Sequence, residues 1–232
     1  MSERESFARH LAAAARSMQG ETGTQETLDK AVAIAVELIE GCDLAGISIV
    51  HRDDIDTSAG SDESLRRIDE LQFAMGEGPC LDALKEHETV HSPDLAHDDR
   101  WPKWGPKIAK EIGVRSNVSY RLFTTADTLG AMNLYSRQVE AFDADDIYSG
   151  LALAAHIAVA LAGAQNAEHL ERAISNRTVI GQAEGILMER FNLTAEQAFG
   201  VLRRMSSQRN VKLSMIAEEL VRTRQIPGAS GK

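Results

Sequence analysis

The sequence has few cysteines and few aromatic residues. Its two cysteines, Cys42 and Cys80, lack the nearby Cys or His residues of a zinc site. The sequence alone does not decide whether they form a disulfide, although nothing else indicates an oxidising compartment. Aromatic residues make up 5% of the chain and much of its apolar content is alanine, a composition that favours closely packed helices.

Long apolar runs are also missing. No uninterrupted stretch approaches the roughly 20 residues that span a bilayer. Three arginines flank a short alanine run near the N-terminus, but Glu3 and Glu5 are out of place in a targeting peptide. We therefore expect residues 1–24 to form an amphipathic lead-in helix of a cytoplasmic protein that has no membrane segment.

Charge is distributed unevenly along the chain. The net charge of −10 argues against nucleic-acid binding if the chain is taken as one body. From Leu170 to Lys232, however, ten Lys or Arg residues stand against six Glu residues, which gives +4 and leaves −14 for the rest. An acidic body that carries a basic nucleic-acid module shows this asymmetry, and so does chance variation in a helical tail.

The first 140 residues alternate between helical and strand spacing. The spacing predicts helices over 25–40, 62–73 and 104–112 and strands over 44–52 and 55–59. Alternation over 117–124 and 129–135, around a short polar turn, predicts an antiparallel hairpin. Residues 76–80 read Gly-Glu-Gly-Pro-Cys, which predicts a fixed, irregular turn because two glycines and a proline restrict the backbone.

From Asp143 onward the pattern is helical for a long way. Its apolar and small residues, spaced alternately by four and three, predict a coiled-coil seam that joins two copies of the chain. The seam residues are Ile147, Leu151, Ala154, Ala158 and Leu161. A capping box at Thr194–Gln197 begins another helix, whose expected buried face carries Phe199, Leu202 and Met205. A last helix is predicted over about 213–224.

The end of the chain carries a spaced set of residues in three helical segments. The set comprises Arg177, Ile180, Ala183, Gly185, Ile186, Leu187, Met188, Ala198, Phe199, Leu202, Arg203, Asn210, Lys212, Leu213 and Ala217. In this pattern the segment resembles the ANTAR domain, a three-helix RNA-binding module, and the match is in register throughout. One departure is Glu184, which stands where members of that family often have lysine.

The resemblance implies that this module binds paired stem-loops in a nascent transcript and prevents a terminator hairpin from forming. An arginine-rich surface can bind phosphates and stack on the unpaired bases of RNA loops. The expected RNA contacts are Arg177, Arg203, Arg204, Arg209, Asn210 and Lys212. Of the adjacent Arg203 and Arg204, only one is expected to face the RNA, and for each arginine a solvated surface role is equally open.

Residues 25–161 carry the helix–strand–strand opening, the Gly76–Cys80 turn and the closing hairpin before a long helix. In these features the body resembles a GAF domain, which implies a small-molecule cavity over an antiparallel sheet or a scaffold for dimers. The expected ligand-binding residues are Gly76, Cys80, Trp101 and Trp104. The two tryptophans could equally clamp the loop over 94–105 onto the sheet. The ligand itself is unknown, and the sequence requires no cofactor.

Two further interpretations concern reactive or metal-binding side chains. Cys80 invites a redox or bilin-attachment role, but a structural cysteine in a turn is the better interpretation, because nothing in the sequence indicates a stabilised thiolate. The histidines stand at no recognised metal-ligand spacing and are interpreted as surface residues; they include His51, His87, His91 and His97. We therefore predict no metal site, no catalytic residues and no enzymatic activity.

Together these patterns predict an α+β protein. A GAF sensor domain over 25–165, with an antiparallel sheet and helices, leads through a long coiled-coil helix into an all-α, three-helix ANTAR module over 166–226, and 227–232 form a disordered tail. The predicted function is that of a homodimeric, RNA-binding transcription antitermination regulator. The alternative is a DNA-binding transcriptional regulator, because the last two helices could form a helix-turn-helix.

Overall fold

The chain folds into two compact units, Met1–Asn166 and Ala167–Lys232. The computed structural model describes residues 3–51, 54–85, 88–125 and 127–225. The predicted disordered tail over 227–232 lies outside the described residues.

The first unit is built on a five-stranded sheet in which every neighbouring pair of strands is antiparallel. The strands are β1 (Leu44–His51), β2 (Asp54–Gly60), β3 (Thr89–Ser92), β4 (Ser116–Phe123) and β5 (Thr128–Ser136), in the spatial order β2-β1-β5-β4-β3. The predicted antiparallel sheet is confirmed. So is the predicted hairpin, since β4 and β5 pair with Tyr120 opposite Met132.

Helices precede, cover and follow the sheet. They are α1 (Glu3–Gln19), α2 (Thr24–Leu38), α3 (Ser64–Met75), α4 (Pro79–Lys85), α5 (Trp104–Glu111), α6 (Ala144–Phe191), α7 (Ala195–Arg209) and α8 (Leu213–Thr223), with a 3-10 turn at Leu95–His97. The predicted long helix is therefore confirmed as α6, which continues from the first unit into the second.

The two faces of the sheet belong to two hydrophobic cores. On one face, β-strand residues such as Ile47 and Tyr120 pack with α2 and with the beginning of α6. On the other face, α3, α4 and α5 pack around Trp101, Trp104 and Tyr135. Side chains alternate across each strand, so Ile47 faces the first core while the neighbouring Ser48 faces the second side. The sheet is therefore the middle layer of three.

The predicted coiled-coil seam does not face a second copy of the chain. Ala154 and Ala158 are each 2% exposed and Leu161 is fully buried, and all three belong to the core of their own unit. Ile147 and Leu151 pack partly against the same core. This corrects the sequence-based expectation, because a helical apolar stripe requires a covering surface but does not specify whether a sheet or a second helix provides it.

Helix α6 also corrects the expectation about apolar runs. Within the described residues it is one helix that is long and apolar enough, by length and composition alone, to cross a bilayer. In its most apolar 18-residue stretch, 33% of the residues are buried inside the protein. Because that buried side is packed on the sheet, lipid cannot surround this helix while the unit stays folded.

The second unit is a small all-helical bundle made by the end of α6 with α7 and α8. Its core contains Ala183 and Leu187 from α6, Ala198 and Leu202 from α7, and Ile216, Ala217 and Leu220 from α8. The predicted capping box is confirmed: the Thr194 hydroxyl accepts from the Gln197 backbone N–H, and the Gln197 side chain accepts from the Thr194 backbone N–H. This reciprocal pair fixes where α7 begins.

Close backbone packing at Gly130 gives a stability prediction. A Cβ atom at Gly130, in β5, would collide with the Ser48 carbonyl oxygen of β1. Gly130→Ala should therefore lower the free energy of unfolding of the first unit by about 1–3 kcal/mol. Gly163→Ala, in the open on α6, is the matched control and should raise it by about 0.5–1 kcal/mol. Urea unfolding measures both, and equal effects of the two variants would contradict the packing argument.

Candidate functional site

The second face of the sheet carries a buried polar cluster beneath α3 and α4. The cluster consists of Ser48, Asp69, Gln72, Asn117, Ser119 and Asn133, all of which are 5% exposed or less. Ser119 donates to the Asn133 side-chain oxygen at 2.7 Å, and the Asn117 amide donates to the Leu134 carbonyl at 2.8 Å. Most buried polar groups in proteins are hydrogen-bonded, and these hydrogen bonds make the cluster an organised part of the interior.

Asp69 of α3 lies at the centre of this cluster. Its carboxylate accepts from the Ser48 hydroxyl at 2.7 Å, the Thr57 hydroxyl at 2.6 Å and the Gln72 amide at 3.2 Å. These partners are neutral, and burial raises the pKa of Asp69 although the three hydrogen bonds oppose the shift. The interior therefore favours the protonated carboxyl.

The Gly76–Cys80 turn closes the cluster through Gln72. The Gln72 side-chain oxygen accepts from the Cys80 backbone N–H at 3.0 Å. Gly78 has φ +140°, and a Cβ there would collide with the Gln72 side chain. Gly76 ends α3 in the left-handed region at φ 67° and is exposed. Gly76 thus serves a left-handed conformation that glycine adopts without strain, and Gly78 allows a close approach that a Cβ atom would prevent.

Glu77, in the same turn, was not identified from the sequence. Its carboxylate accepts from the backbone N–H groups of Lys103 at 2.9 Å and Trp104 at 3.1 Å. These two N–H groups stand at the beginning of α5. The side chain of Lys103, the N-cap residue of α5, makes no capping hydrogen bond to this helix. Glu77 therefore joins the turn to the loop that carries the tryptophans, and only an acidic residue between two glycines hinted at this role.

Trp101 and Trp104 meet on the second side of the sheet. Cys80 lies near Ser48 and Asn133 of the polar cluster, and Gly76 lies at the exposed end of the turn. The two indoles meet edge to face with ring centroids 5.9 Å apart. The indole N–H of Trp101 donates to Asp82 at 2.8 Å, and that of Trp104 donates to the Ile68 carbonyl at 3.2 Å. Both rings are almost fully buried. Contact between these residues and a ligand stays a prediction.

The hydroxyl of Tyr135 is one of the buried polar groups that lack a hydrogen-bond partner. Tyr135 lies on β5, is fully buried, and its hydroxyl has no hydrogen-bond partner. It lies near the Gln72 side chain without completing a hydrogen bond to it. A buried hydroxyl without a partner costs free energy, so a polar atom of a ligand that hydrogen-bonds to Tyr135 here would be favoured.

The cysteine and histidine side chains show no reactive arrangement in the described part of the chain. Burial raises the pKa values of Cys42 and Cys80 to about 12. Both are free thiols. His87 lies outside the described residues, as does the side chain of His51, and His97 hydrogen-bonds Asp94 at 2.7 Å. Across the residues that are described, no group of three or more His, Cys, Asp or Glu side chains could hold a metal ion.

In the second unit, all expected RNA contacts are exposed to solvent. Arg177 lies on α6, and Arg203, Arg204 and Arg209 lie on α7. Asn210 ends α7 in the left-handed region at φ 52°, and Lys212 is the N-cap of α8. Arg209 is already paired with Glu219 of α8 at 2.9 Å, so part of its charge is used within the unit.

Phe199 corrects a sequence-based expectation, because it is 41% exposed and does not belong to the core. It lines a groove of about 520 Å³ between α6 and α7. The other lining residues are Ala173, Asn176, Arg177, Ile180, Gly181 and Glu184. Arg203 follows Phe199 by one helical turn and therefore shares its face of α7, whereas Arg204 is rotated away from that face. The groove thus combines an aromatic ring with nearby guanidinium groups.

The first unit is a helix-covered antiparallel sheet with a polar interior, and the second is a helical unit with exposed arginines. The chain belongs to the GAF domain family, whose model matches residues 21–162, and an ANTAR domain matches residues 168–221. This order of domains assigns the chain to signal transduction and transcription regulation. Among curated proteins, none matches the chain.

Solved structures resemble the first unit in fold. The GAF domain of a phosphoenolpyruvate-protein phosphotransferase from Coxiella burnetii is 15% identical, with a TM-score of 0.59 over 71% of this chain and 98% of that chain. A free methionine-R-sulfoxide reductase from Neisseria meningitidis, solved with its substrate, is 18% identical, with a TM-score of 0.56 over 72% and 95% of the two chains. At these identities the likeness establishes the fold alone.

Asp69 gives a pH prediction. Its pKa is raised in the folded state, so its contribution to stability is complete below the pKa of the unfolded chain, about 4, and is lost as the pH rises through the folded-state pKa. The free energy of unfolding of the wild type, relative to Asp69→Asn, should therefore fall as the pH rises from about 4. Urea unfolding followed by tryptophan fluorescence measures this difference.

Asp62→Asn is the control for this experiment. Hydrogen bonds from Ser64 lower the pKa of the exposed Asp62, so its contribution is present at neutral pH and lost on acidification. The two variants should therefore show pH dependences of opposite sign. Parallel curves for the wild type and Asp69→Asn would contradict the account of a buried carboxyl with a raised pKa.

The buried thiols give a second prediction. Because the pKa values of Cys42 and Cys80 are about 12, neither thiol should react with Ellman's reagent at pH 8 until the first unit unfolds. Ser175→Cys, at an exposed position on α6, should react at once and serves as the control. Rapid labelling of a native cysteine in the folded protein would overturn this view of the interior.

Proposed function

We propose that the protein is a transcription antitermination regulator whose ANTAR unit binds paired stem-loops in a nascent transcript under the control of its GAF unit. The observation that carries this proposal is the groove between α6 and α7, where exposed Phe199 lies beside Arg177 with Arg203 one turn away. A protein that acts on nascent bacterial-type transcripts is expected in the cytoplasm.

The chemistry of this groove suits single-stranded bases in RNA loops. Unpaired bases stack on exposed aromatic rings and guanidinium planes, and each stack contributes about 1–3 kcal/mol. Arginines also bind phosphates through two parallel hydrogen bonds. Among the expected contacts, Arg177 and Arg203 are therefore the primary ones, while Arg209 is partly neutralised by Glu219. Asn210 and Lys212 extend the surface along the turn between α7 and α8.

The GAF unit supports a sensor role through its polar interior. We propose that a small polar molecule, or a change in protonation, acts near Cys80, Trp101 and Trp104, where the Tyr135 hydroxyl lacks a partner. Entry there requires movement of the turn at Gly76, because Cys80 and both indoles are buried. The reductase activity named for one solved neighbour is not extended to this chain, since buried thiols with pKa values of about 12 are poor nucleophiles.

The proposal includes a homodimer. Two stem-loops bound by two linked modules gain affinity through effective concentration, without additional contacts in either module. We also propose that the sensor domain covers residues 25–165 and that the output module covers residues 166–226.

The deciding experiment compares nucleic acids at one salt concentration. In gel-shift titrations, the full chain should bind a two-hairpin RNA at least tenfold more tightly than duplex DNA of equal length. Because phosphate contacts dominate affinity, the RNA affinity should fall steeply as salt is raised. Preference for the duplex would favour the DNA-binding alternative, in which α7 and α8 act as a helix-turn-helix.

Neighbouring arginines give a matched pair of variants for the same assay. Arg203→Gln should weaken RNA binding roughly 5- to 10-fold and reduce the salt dependence by about one phosphate contact, whereas Arg204→Gln should have little effect. Phe199→Leu, which keeps an apolar side chain, should also weaken binding at least fivefold through loss of stacking. If the two arginine variants have equal effects and Phe199→Leu binds RNA as the wild type does, the groove is not part of the RNA-binding surface.

A further inference from the structure

Glu184 is an unexpected residue in the groove between α6 and α7. It is half-buried in a unit of positive net charge, and a carboxylate repels the phosphates that supply most RNA affinity. The four residues three or four positions away from it on α6 carry no charge, so it has no helical ion pair. The ion pairs of this unit's described residues join Arg172 to Glu168 and Arg209 to Glu219. No role within the fold therefore accounts for the carboxylate.

Arg177, Gly181 and Glu184 form a recess in the wall of α6. Arg177 and Glu184 are seven residues apart, so they project from nearly the same side of the helix with about 10 Å between them along its axis. Gly181 lies between them, and a Cβ atom there would meet nothing within 4 Å. All three residues line the same groove as Phe199 of α7. We call these three residues and the space between them the α6 recess.

We propose that the α6 recess binds a guanine base. Guanine presents two acceptors, N7 and O6, which suit the paired donors of an arginine. On its Watson–Crick edge it presents two adjacent donors, the N1–H and the N2 amino group, which suit the two oxygens of a carboxylate. Arg177 and Glu184 offer these complementary groups from opposite ends of the recess, and Phe199 offers a ring on which a base stacks. This inference rests on the proposed RNA binding and names the base that the groove selects.

The other bases match this pair of side chains less well. Adenine keeps N7 but has an amino donor in place of O6, and that donor faces the donors of Arg177. Cytosine offers Glu184 a single amino group, and uracil offers it a single ring N–H. Guanine is therefore the base that satisfies both charged side chains at once, whereas each other base leaves one of them with an incomplete set of hydrogen bonds.

Gly181 provides the space for the base. Glycine destabilises a helix interior, so its position here favours a role that a side chain would block. With hydrogen bonds of about 3 Å at either end, the roughly 10 Å between Arg177 and Glu184 accommodates one planar base.

The guanine base belongs either to an RNA loop or to a free nucleotide, and the charge beyond the recess favours the loop. Arg203 lies one helical turn from Phe199, and Lys212 is exposed at the turn between α7 and α8. These cations extend the basic surface past the recess, which suits the successive phosphates of a strand. A mononucleotide would leave them unused.

Selection of RNA by the full chain tests the base preference. From a pool of two-hairpin RNAs with randomised loops, the wild type should enrich guanine at one loop position at least tenfold relative to the other bases. Glu184→Gln, which removes the charge and keeps the shape, should lose this enrichment. Glu189→Gln is the matched control, because it removes the same charge from the same helix about 140° away and should keep the enrichment.

Base analogues in the selected RNA assign the two edges. Inosine lacks the N2 amino group, so it should weaken binding of the wild type roughly 3- to 10-fold but change binding of Glu184→Gln less than twofold. In the same way, 7-deazaguanine lacks the N7 acceptor and should weaken binding of the wild type but not of Arg177→Gln. A paired loss of this kind reports a direct contact, which a merely structural role of either side chain would not produce.

Two further variants separate the recess from general electrostatics. Gly181→Leu fills the recess with a helix-favouring side chain, so RNA binding should weaken at least tenfold while the thermal unfolding midpoint does not fall. Glu184→Lys should bind every loop sequence more tightly, with a salt dependence steeper by about one phosphate contact, and should lose the preference for guanine.

Competition by GMP and AMP distinguishes the sources of the base. A loop site predicts that GMP displaces the RNA only at millimolar concentrations and that AMP does so less well. Micromolar binding of GMP without any loop preference supports the guanine recess and assigns it to a free nucleotide. RNA binding with equal affinity for all four loop bases, unchanged in Glu184→Gln, overturns this inference and leaves the proposed function intact. A chain that binds GMP but no RNA contradicts the proposed function and keeps the recess, and a chain that binds neither overturns both.

Discussion

The first unit depends on burial of both faces of one five-stranded sheet. The first face is apolar and is covered by α2 and the beginning of α6, with Leu153 and Ile157 fully buried there. The second face combines a large aromatic core with a hydrogen-bonded polar cluster around Asp69. Apolar burial supplies most of the stabilisation, while the polar cluster adds directional constraints and a cost whenever a partner is lost.

Helix α6 is the element that both cores share. Its first part supplies Leu153 and Ile157 to the core of the sensor unit, and its last part supplies Ala183 and Leu187 to the core of the output unit. A change that repacks the sheet therefore acts on the same helix that completes the ANTAR unit. A continuous helix transmits rotation and displacement better than a flexible linker does, so this arrangement suits a sensor that controls an output domain.

The features that sequence reasoning obtained are local or strictly periodic. The β4–β5 hairpin follows from alternation around a short turn, and the capping box at Thr194 follows from residues three positions apart. Periodicity could not assign what covers a face. Ala154 and Ala158 have seam spacing but pack on their own sheet, and Phe199 has core spacing with Leu202 but is exposed.

The interior of the sensor unit was beyond sequence reasoning for a different reason. Asp69 meets Ser48, which is 21 residues away, and Glu77 meets Lys103 and Trp104, which are 26 and 27 residues away. Such pairs arise only when the fold brings distant segments together, and no local pattern marks them. The residue types were visible, but a carboxylate in a turn has many possible partners until the topology is known.

The two hydrogen bonds of Glu77 limit how often the interior can open. The turn and the tryptophan loop separate only if both bonds, at 2.9 and 3.1 Å, are released. At about 1.5 kcal/mol for each bond to a charged group, release of these two bonds alone costs about 3 kcal/mol. The open form then accounts for less than about 1% of the molecules at rest. A ligand that acts by separating the turn from the tryptophan loop must bind the open form more tightly than the closed form by at least that free energy. Molecules with a smaller preference for the open form leave the protein mostly closed.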